Sequence, residues 1–218
     1  VTAPHSSFAS LSGIDWNDTD SILAGCTPVF DAMSTDRALL ASLICKTADD
    51  PTLAEMCEGF DFMRKLVLYD DPTHGVRVRL HLYRGGFFDR PHNHRWSFAS
   101  RILHGSYQHR IFGPDSDFDE ATDPNALRPL LTRHEQPGHT YALHHTSVHT
   151  VSAATNTASL LIRGPAAKQR FLIHDAAANE FFWVRGAQQE TPDQRERKQL
   201  TPTELAGAID AAQTLLTT

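Results

Sequence analysis

Histidine is the side chain most able to do chemistry in this sequence. The 218-residue chain holds thirteen of them, most lying between His74 and His149. Imidazole is the commonest metal ligand and titrates near neutrality, so a metal site is the first chemistry to test. In Gly86-Phe87-Phe88-Asp89-Arg90-Pro91-His92-Asn93-His94 two histidines are separated by a single residue. In an extended strand such a pair projects from one face with Cα atoms about 6.6 Å apart. Two imidazoles at that spacing can converge on one ion at about 2.1 Å each. Pro91 and the glycines before it suit an edge or a bend rather than a central strand. A third ligand must come from a neighbouring strand, and the run Leu143 to Val151 offers His144, His145 and His149.

The elements that must position these residues change character along the chain. Up to about residue 60 the apolar spacing is helical, as in Ala38 to Cys45 after Asp36, and Asp50-Pro51 reads as a cap followed by a first-turn proline. From Arg64 to Leu172 short alternating runs are punctuated by Gly, Pro and Asp. Val76 to Tyr83, Trp96 to Leu103, Tyr107 to Phe112 and Ala158 to Arg163 are the clearest, and together they predict a sandwich or barrel. Thr201-Pro202-Thr203-Glu204 opens a final amphipathic helix through a capping box. The expected organisation is one mainly β domain over 1–218. It has a helical N-terminal layer (1–62), a barrel (63–185), and a linker with a C-terminal helix (186–218).

Composition narrows the partners. A formal charge of -6, from 20 basic against 26 acidic residues, argues against a backbone-tracking nucleic-acid binder. No run approaches the roughly 18 apolar residues of a membrane span, and no basic-then-apolar leader opens the sequence, so neither a membrane partner nor a secreted precursor is expected. Cys26, Cys45 and Cys57 are an odd count without a CxxC pair and read as reduced thiols, which places the expected location in the cytoplasm. Asp115, Asp117 and Asp119 alternate like a calcium loop, but Glu120 and Ala126 stand where that loop needs glycine and glutamate.

The histidine pattern resembles that of the cupins, whose first motif is G-x5-H-x-H-x3,4-E-x6-G and whose second contains P-x-G-x2-H. Gly86, His92, His94 and Gly105 match the first motif in register, with Phe98 where the ligating glutamate is usual. In the second, the histidine register falls on His149, while His144 and Thr146 replace the proline and glycine. The resemblance therefore implies a jelly-roll-like cupin barrel with His92, His94 and His149 as ligands and His145 as the rival third. A three-histidine set without glutamate is similar to that of the thiol dioxygenases and diketone-cleaving dioxygenases. The chain is most similar to the thiol dioxygenases, the cysteine-dioxygenase type, roughly from Phe62 to Pro165. That likeness implies mononuclear non-heme iron(II) with dioxygen as co-substrate. It also implies a homodimer, and an arginine, Arg64 in Phe62-Met63-Arg64-Lys65-Leu66-Val67, that binds the substrate carboxylate. The family's Ser-x-His-x-Tyr relay keeps only its serine, at Ser159, and Ala99 replaces the cysteine near the first motif.

Period-two counting fills in the pocket. Val76, Val78, Leu80 and Leu82 form one face of their strand, and Arg77, Arg79, His81 and Tyr83 the other. That second face either points to water or lines the barrel, where His81 and Tyr83 would lie near the metal. Trp96 and Phe98 share the ligand-bearing face as an apolar wall, and Arg163 would point inward by the same resemblance. An inward arginine pairs bidentately with carboxylates, so the expected substrate is a small anionic molecule. The expected activity is an iron oxygenase. A metal-dependent lyase or isomerase with Tyr83, Tyr107 or His81 as base is the second reading, and a cupin that binds a small molecule without turnover is the third.

Overall fold

The computed structural model describes residues 6–85, 90–175, 177–186 and 191–217. Gly86 of the first motif and part of the expected linker, 187–190, lie outside the described residues. Helices α1 (Thr19–Thr35), α2 (Arg37–Asp49) and α3 (Pro51–Glu55) come first. Each starts where an aspartate satisfies otherwise unpaired amides. Asp18 accepts from Asp20 N, Asp36 from Leu39 N, and Asp50 from Thr52 N and Leu53 N, with Pro51 in the first turn as its sequence predicts. The chain then runs through β1 (Glu58–Gly59), β2 (Met63–Asp71), β3 (Val76–Tyr83), β4 (Phe98–His104) and β5 (Tyr107–Pro114). Next come β6 (Leu131–Glu135), β7 (Thr140–Leu143), β8 (Ser147–Ala153), β9 (Thr157–Arg163), β10 (Arg170–Asp175) and β11 (Glu180–Arg185). The short α4 (Pro192–Glu196) precedes α5 (Pro202–Thr217). Thr201 and Glu204 exchange the reciprocal bonds of a capping box at the start of α5, at 3.0 and 3.3 Å.

All strand pairs are antiparallel and fall into a six-stranded sheet, β1-β2-β3-β9-β4-β7, a three-stranded sheet, β6-β5-β8, and the hairpin β10-β11. His92 joins the last two, bridging His149 of β8 on one side and Ile173 of β10 on the other. The result is a mainly β arrangement of antiparallel sheets with helices at both ends, the fold class that the residue pattern predicts.

Two packed regions follow from the pleat. On the outer face of the large sheet, Leu66, Val78, Leu80, Leu160 and Ile162 pack with Ile22, Phe30, Met33 and Ile44 of the helices. Between the sheets lies a smaller aromatic cluster that includes Phe98, Tyr107, Tyr141 and Leu161. Gly105, between β4 and β5, has φ of +69°, and a Cβ there would stand 2.5 Å from Thr157 Oγ1. The motif glycine thus makes the turn that reverses the chain behind β4.

The acidic stretch after β5 forms one turn, Asp115–Asp117, and Asp115 turns back to bond Asn93 and Lys168 rather than gathering carboxylates around an ion. No helix among the described residues is long and apolar enough to cross a membrane.

Candidate metal centre

The chain between β3 and β4 does not form a regular strand at its histidines, which differs from the extended ladder expected there. His92 makes a closed pair of backbone bonds with His149, N–H to O at 2.9 and 2.8 Å, and the segment then passes to β10. Asn93, fully buried, faces backward: its amide donates to Asp115 Oδ2 at 2.7 Å, and its oxygen accepts from Leu172 N at 2.7 Å. Lys168 also pairs with Asp115. The residue between the two histidines therefore anchors the segment, and both imidazoles turn to the opposite side.

There they meet His149, and the three residues offer ligand atoms all within 4.8 Å of one another. His94 Nε2 lies 2.9 Å from His149 Nε2. Two nitrogens bound to one ion at about 2.1 Å and at right angles would be about 3.0 Å apart, so the spacing fits a shared cation. His92 Nδ1 lies 2.6 Å from Arg90 O, an acceptor only, so Nδ1 carries the proton and Nε2 keeps its lone pair. Burial first, and neighbouring imidazoles next, push His94 and His149 well below the usual histidine range. Both rings are neutral at pH 7, the form a metal requires. Trp96 stacks on His94 at 4.5 Å and 22°, and Phe98 meets the same ring edge-on at 5.0 Å, so the imidazole plane is set by packing.

The three histidines form part of the wall of a cavity of about 380 Å³, within the usual range for small-molecule sites. Among the described residues, six lysine and arginine side chains and a single carboxylate, Glu58, contribute to that wall. Glu58 lies 3.7 Å from Lys65 and 3.4 Å from Lys198. Burial alone would raise the Glu58 carboxyl, but Lys65, Arg79 and Lys198 outweigh it and hold it at about 2. Arg79 and His81 are buried on the wall, and Arg79 Nε and His81 Nε2 have no hydrogen-bond partner among the described residues. The Arg79 guanidinium lies over Trp96, 5.9 Å from the ring centre. Tyr83, Trp96 and Phe98 complete the part of the wall that the sequence analysis expects.

Three expectations need correction. Arg64 does not reach the cavity, because it registers with Leu82 and so shares the helix-facing side of the sheet. It donates to Phe60 O at 3.0 Å and faces Glu204, while its neighbour Lys65, registered with His81, takes the inward position. Arg163 ends its strand with its guanidinium on Gly75 O and Gly164 O, at 2.8 and 2.9 Å, and is not on the cavity wall. Burial, then the charges of Arg79 and Arg77, lower its pKa to about 9. Tyr107 also stays off the wall: its hydroxyl meets that of Tyr141 at 2.6 Å, and Tyr141 stands at the cavity instead. Burial drives the Tyr107 phenol well above its usual range, so it is a poor base. His145, the rival third ligand, bonds Ser97 and takes no place in the cluster. Its neighbour along the chain, His144, bonds Thr146.

Sequence reasoning missed one buried connection. His109, wholly buried, stands with Nε2 2.9 Å from His149 Nδ1. Its other nitrogen faces Glu135, also wholly buried, at 3.7 Å. The pairing Tyr107↔Glu135 that brings β6 beside β5 spans 28 residues of chain, and nothing local in the sequence announces it.

No protein-family model matches the chain, and no curated protein matches it. Solved structures are similar to part of it. Ectoine synthase from P. lautus is 15% identical, with 51% of this chain and 70% of that chain covered at a TM-score of 0.40. An RmlC-like cupin from Shewanella frigidimarina is 14% identical over 51% and 85%, at 0.39. KdgF from Halomonas sp. is 14% identical over 49% and 82%, at 0.38. At scores of this size nothing about substrate or reaction passes from those proteins to this chain. By its own strand pairing and side chains, the molecule is a mainly β, antiparallel fold with a three-histidine group able to hold a metal ion.

Proposed function

We propose that this chain is a mononuclear iron oxygenase of the cysteine-dioxygenase type, oxidising a small carboxylate-bearing molecule such as an amino-acid derivative or a thiol. The observation that supports it is a joint one. Three imidazoles with no carboxylate among them share a cavity with a cationic lining and a buried guanidinium nitrogen that lacks a hydrogen-bond partner among the described residues. Bound through His92, His94 and His149, iron(II) would keep its full charge and open positions for a chelating anion and dioxygen.

The chain's own groups divide the remaining work. Arg79 is the anchor for the substrate carboxylate, in place of Arg64, since its Nε is buried, unpaired and on the cavity wall. Lys65 adds positive charge beside it, held in check by Glu58. Trp96 and Phe98 exclude water from one side of the ligands and fix the plane of His94. His81 is kept neutral by burial first and then by Lys65 and Arg79, so it offers a bound substrate a hydrogen-bonding nitrogen without adding a charge. A cytoplasmic setting and a homodimer belong to the same proposal.

His81 also favours a second reading. A buried, neutral, unpartnered imidazole beside a metal would serve a lyase or isomerase equally well. Anaerobic purification with metal analysis, then iron(II) and nitric oxide, separates these readings. The expected result is a high-spin iron-nitrosyl EPR signal that disappears in His92→Ala and His94→Ala, followed by substrate-dependent oxygen uptake. Tight zinc or nickel with no nitrosyl signal, and turnover that persists under nitrogen, would replace the oxygenase with the lyase or isomerase. Tight binding of a small molecule with no product under any metal or gas would leave a binding protein.

A further inference from the structure

The connection behind the third ligand points to a role for a carboxylate that does not touch the cavity. His149 Nε2 faces His94, and His149 Nδ1 faces His109 Nε2 at 2.9 Å. Two proton arrangements satisfy that last contact in the metal-free protein. Only one survives when His149 Nε2 gives its lone pair to a metal: the His149 proton then sits on Nδ1 and is donated to His109 Nε2. His109 must in turn carry its own proton on Nδ1. That nitrogen is buried, lacks a hydrogen-bond partner, and faces Glu135 Oε1 at 3.7 Å. Both Glu135 oxygens are likewise buried without a strict hydrogen bond.

The other nitrogen groups around Glu135 lie toward solvent. Arg133 Nε is 3.0 Å from Oε1 with its side chain 40% exposed, and His139 Nδ1 is 3.5 Å from Oε2 with its side chain 49% exposed. On the inward side the partner is His109, fully enclosed among Tyr107, Tyr141 and His149. A wholly buried carboxylate with an unsatisfied imidazole between it and a prospective ligand is a costly arrangement unless the three act as a unit.

We propose that Glu135 and His109 are positioning residues for His149. They fix its Nδ1–H tautomer and its ring orientation, and they supply, through one intervening imidazole, negative charge to a ligand set that lacks a carboxylate of its own. In this chain Phe98 occupies the glutamate position of the first cupin motif, and Glu135 delivers an anionic influence from behind a different ligand. This inference rests on the metal-centre reading above and adds to it the source of the third ligand's basicity.

Cobalt(II) is the probe, titrated into the full chain against a competing chelator while its d–d absorption is followed. Glu135→Gln, which keeps the shape and removes the charge, and His109→Gln are each expected to weaken cobalt binding by about 10- to 100-fold and to shift the d–d band. Glu135→Asp should recover part of the affinity. Affinity within about twofold of wild type and an unshifted band in both Gln variants would overturn the proposal, whatever their melting temperatures. If either variant fails to fold, the unmodified protein loaded with zinc(II) decides through the ring ¹⁵N shifts. A proton on His109 Nδ1 with a bare Nε2 supports the relay, and the opposite tautomer overturns it. A wild-type protein that binds neither ion removes the metal reading itself, which is distinct from a loaded wild type whose variants match it.

Discussion

Along β3, Val76, Val78 and Leu80 are buried against the helices, while Arg79 and His81, one residue out of phase, are buried against the cavity. The same eight-residue strand, Val76–Tyr83, thus separates two interiors of opposite chemistry. The outer one is closed by aliphatic packing with the helices. The inner one is closed by aromatic rings and imidazoles, and among the described residues it leaves Arg79 Nε, His81 Nε2 and, across the β3–β9 pairing, Ser159 Oγ without hydrogen-bond partners. Burial on the outer face contributes stability, whereas burial on the inner face holds polar atoms ready for something that arrives from outside.

Substitutions on the two faces should therefore separate stability from binding. The largest stability effect is expected at Leu80, fully buried on the helix side. Leu80→Ala should lower unfolding free energy by about 2–5 kcal/mol in urea titrations while leaving cobalt affinity unchanged. A comparable loss of metal affinity would show that the two interiors are mechanically one. Arg79→Met should do the reverse. Removing a buried charge for a side chain of similar length is expected to change stability by less than about 1 kcal/mol or to raise it. Calorimetric titration of the metal-loaded protein with small carboxylates should meanwhile show binding weakened by about 10- to 100-fold. Unchanged carboxylate binding would remove Arg79 as the anchor. The smallest effect belongs to Glu58, whose carboxyl is held at about 2 against an ordinary 4.5. Its stabilising contribution is complete above about 4.5 and is lost as pH falls from there toward 2. Glu58→Gln should flatten the fall in stability between pH 5 and pH 3 by about 1 kcal/mol, and an acid limb as steep as that of wild type would show that its lysine partners contribute nothing.

The comparison also shows what could be read from the residues in advance. The alternation in Val76 to Tyr83 is visible by eye, and so is the His92–His94 pair, because each depends on spacing within one segment. Whether the Arg/His face meets water or the interior depends on strands far along the chain, up to 86 residues on in the Arg77↔Arg163 pairing. Arg64 fails for the same reason. Its motif likeness places it by sequence order, but the phase of β2 is set by pairing with β3, and that register hands the inward position to Lys65. Tyr141 takes the cavity position expected of Tyr107, with the two hydroxyls meeting across two different sheets. Glu135 is invisible from its surroundings, since Arg133 and His134 make its strand look like an ordinary solvated edge.

The indole of Trp96 lies flat on the ring of His94, 4.5 Å away. At that separation its excited state shares an electronic environment with whatever the imidazole coordinates, and a paramagnetic ion there offers it a short route to decay. The other two tryptophans sit elsewhere, Trp16 against Gly164 and Trp183 beneath the guanidinium of Arg170. The barrel thus contains its own optical gauge of occupancy, one ring that reports the histidines and two that serve as its internal reference.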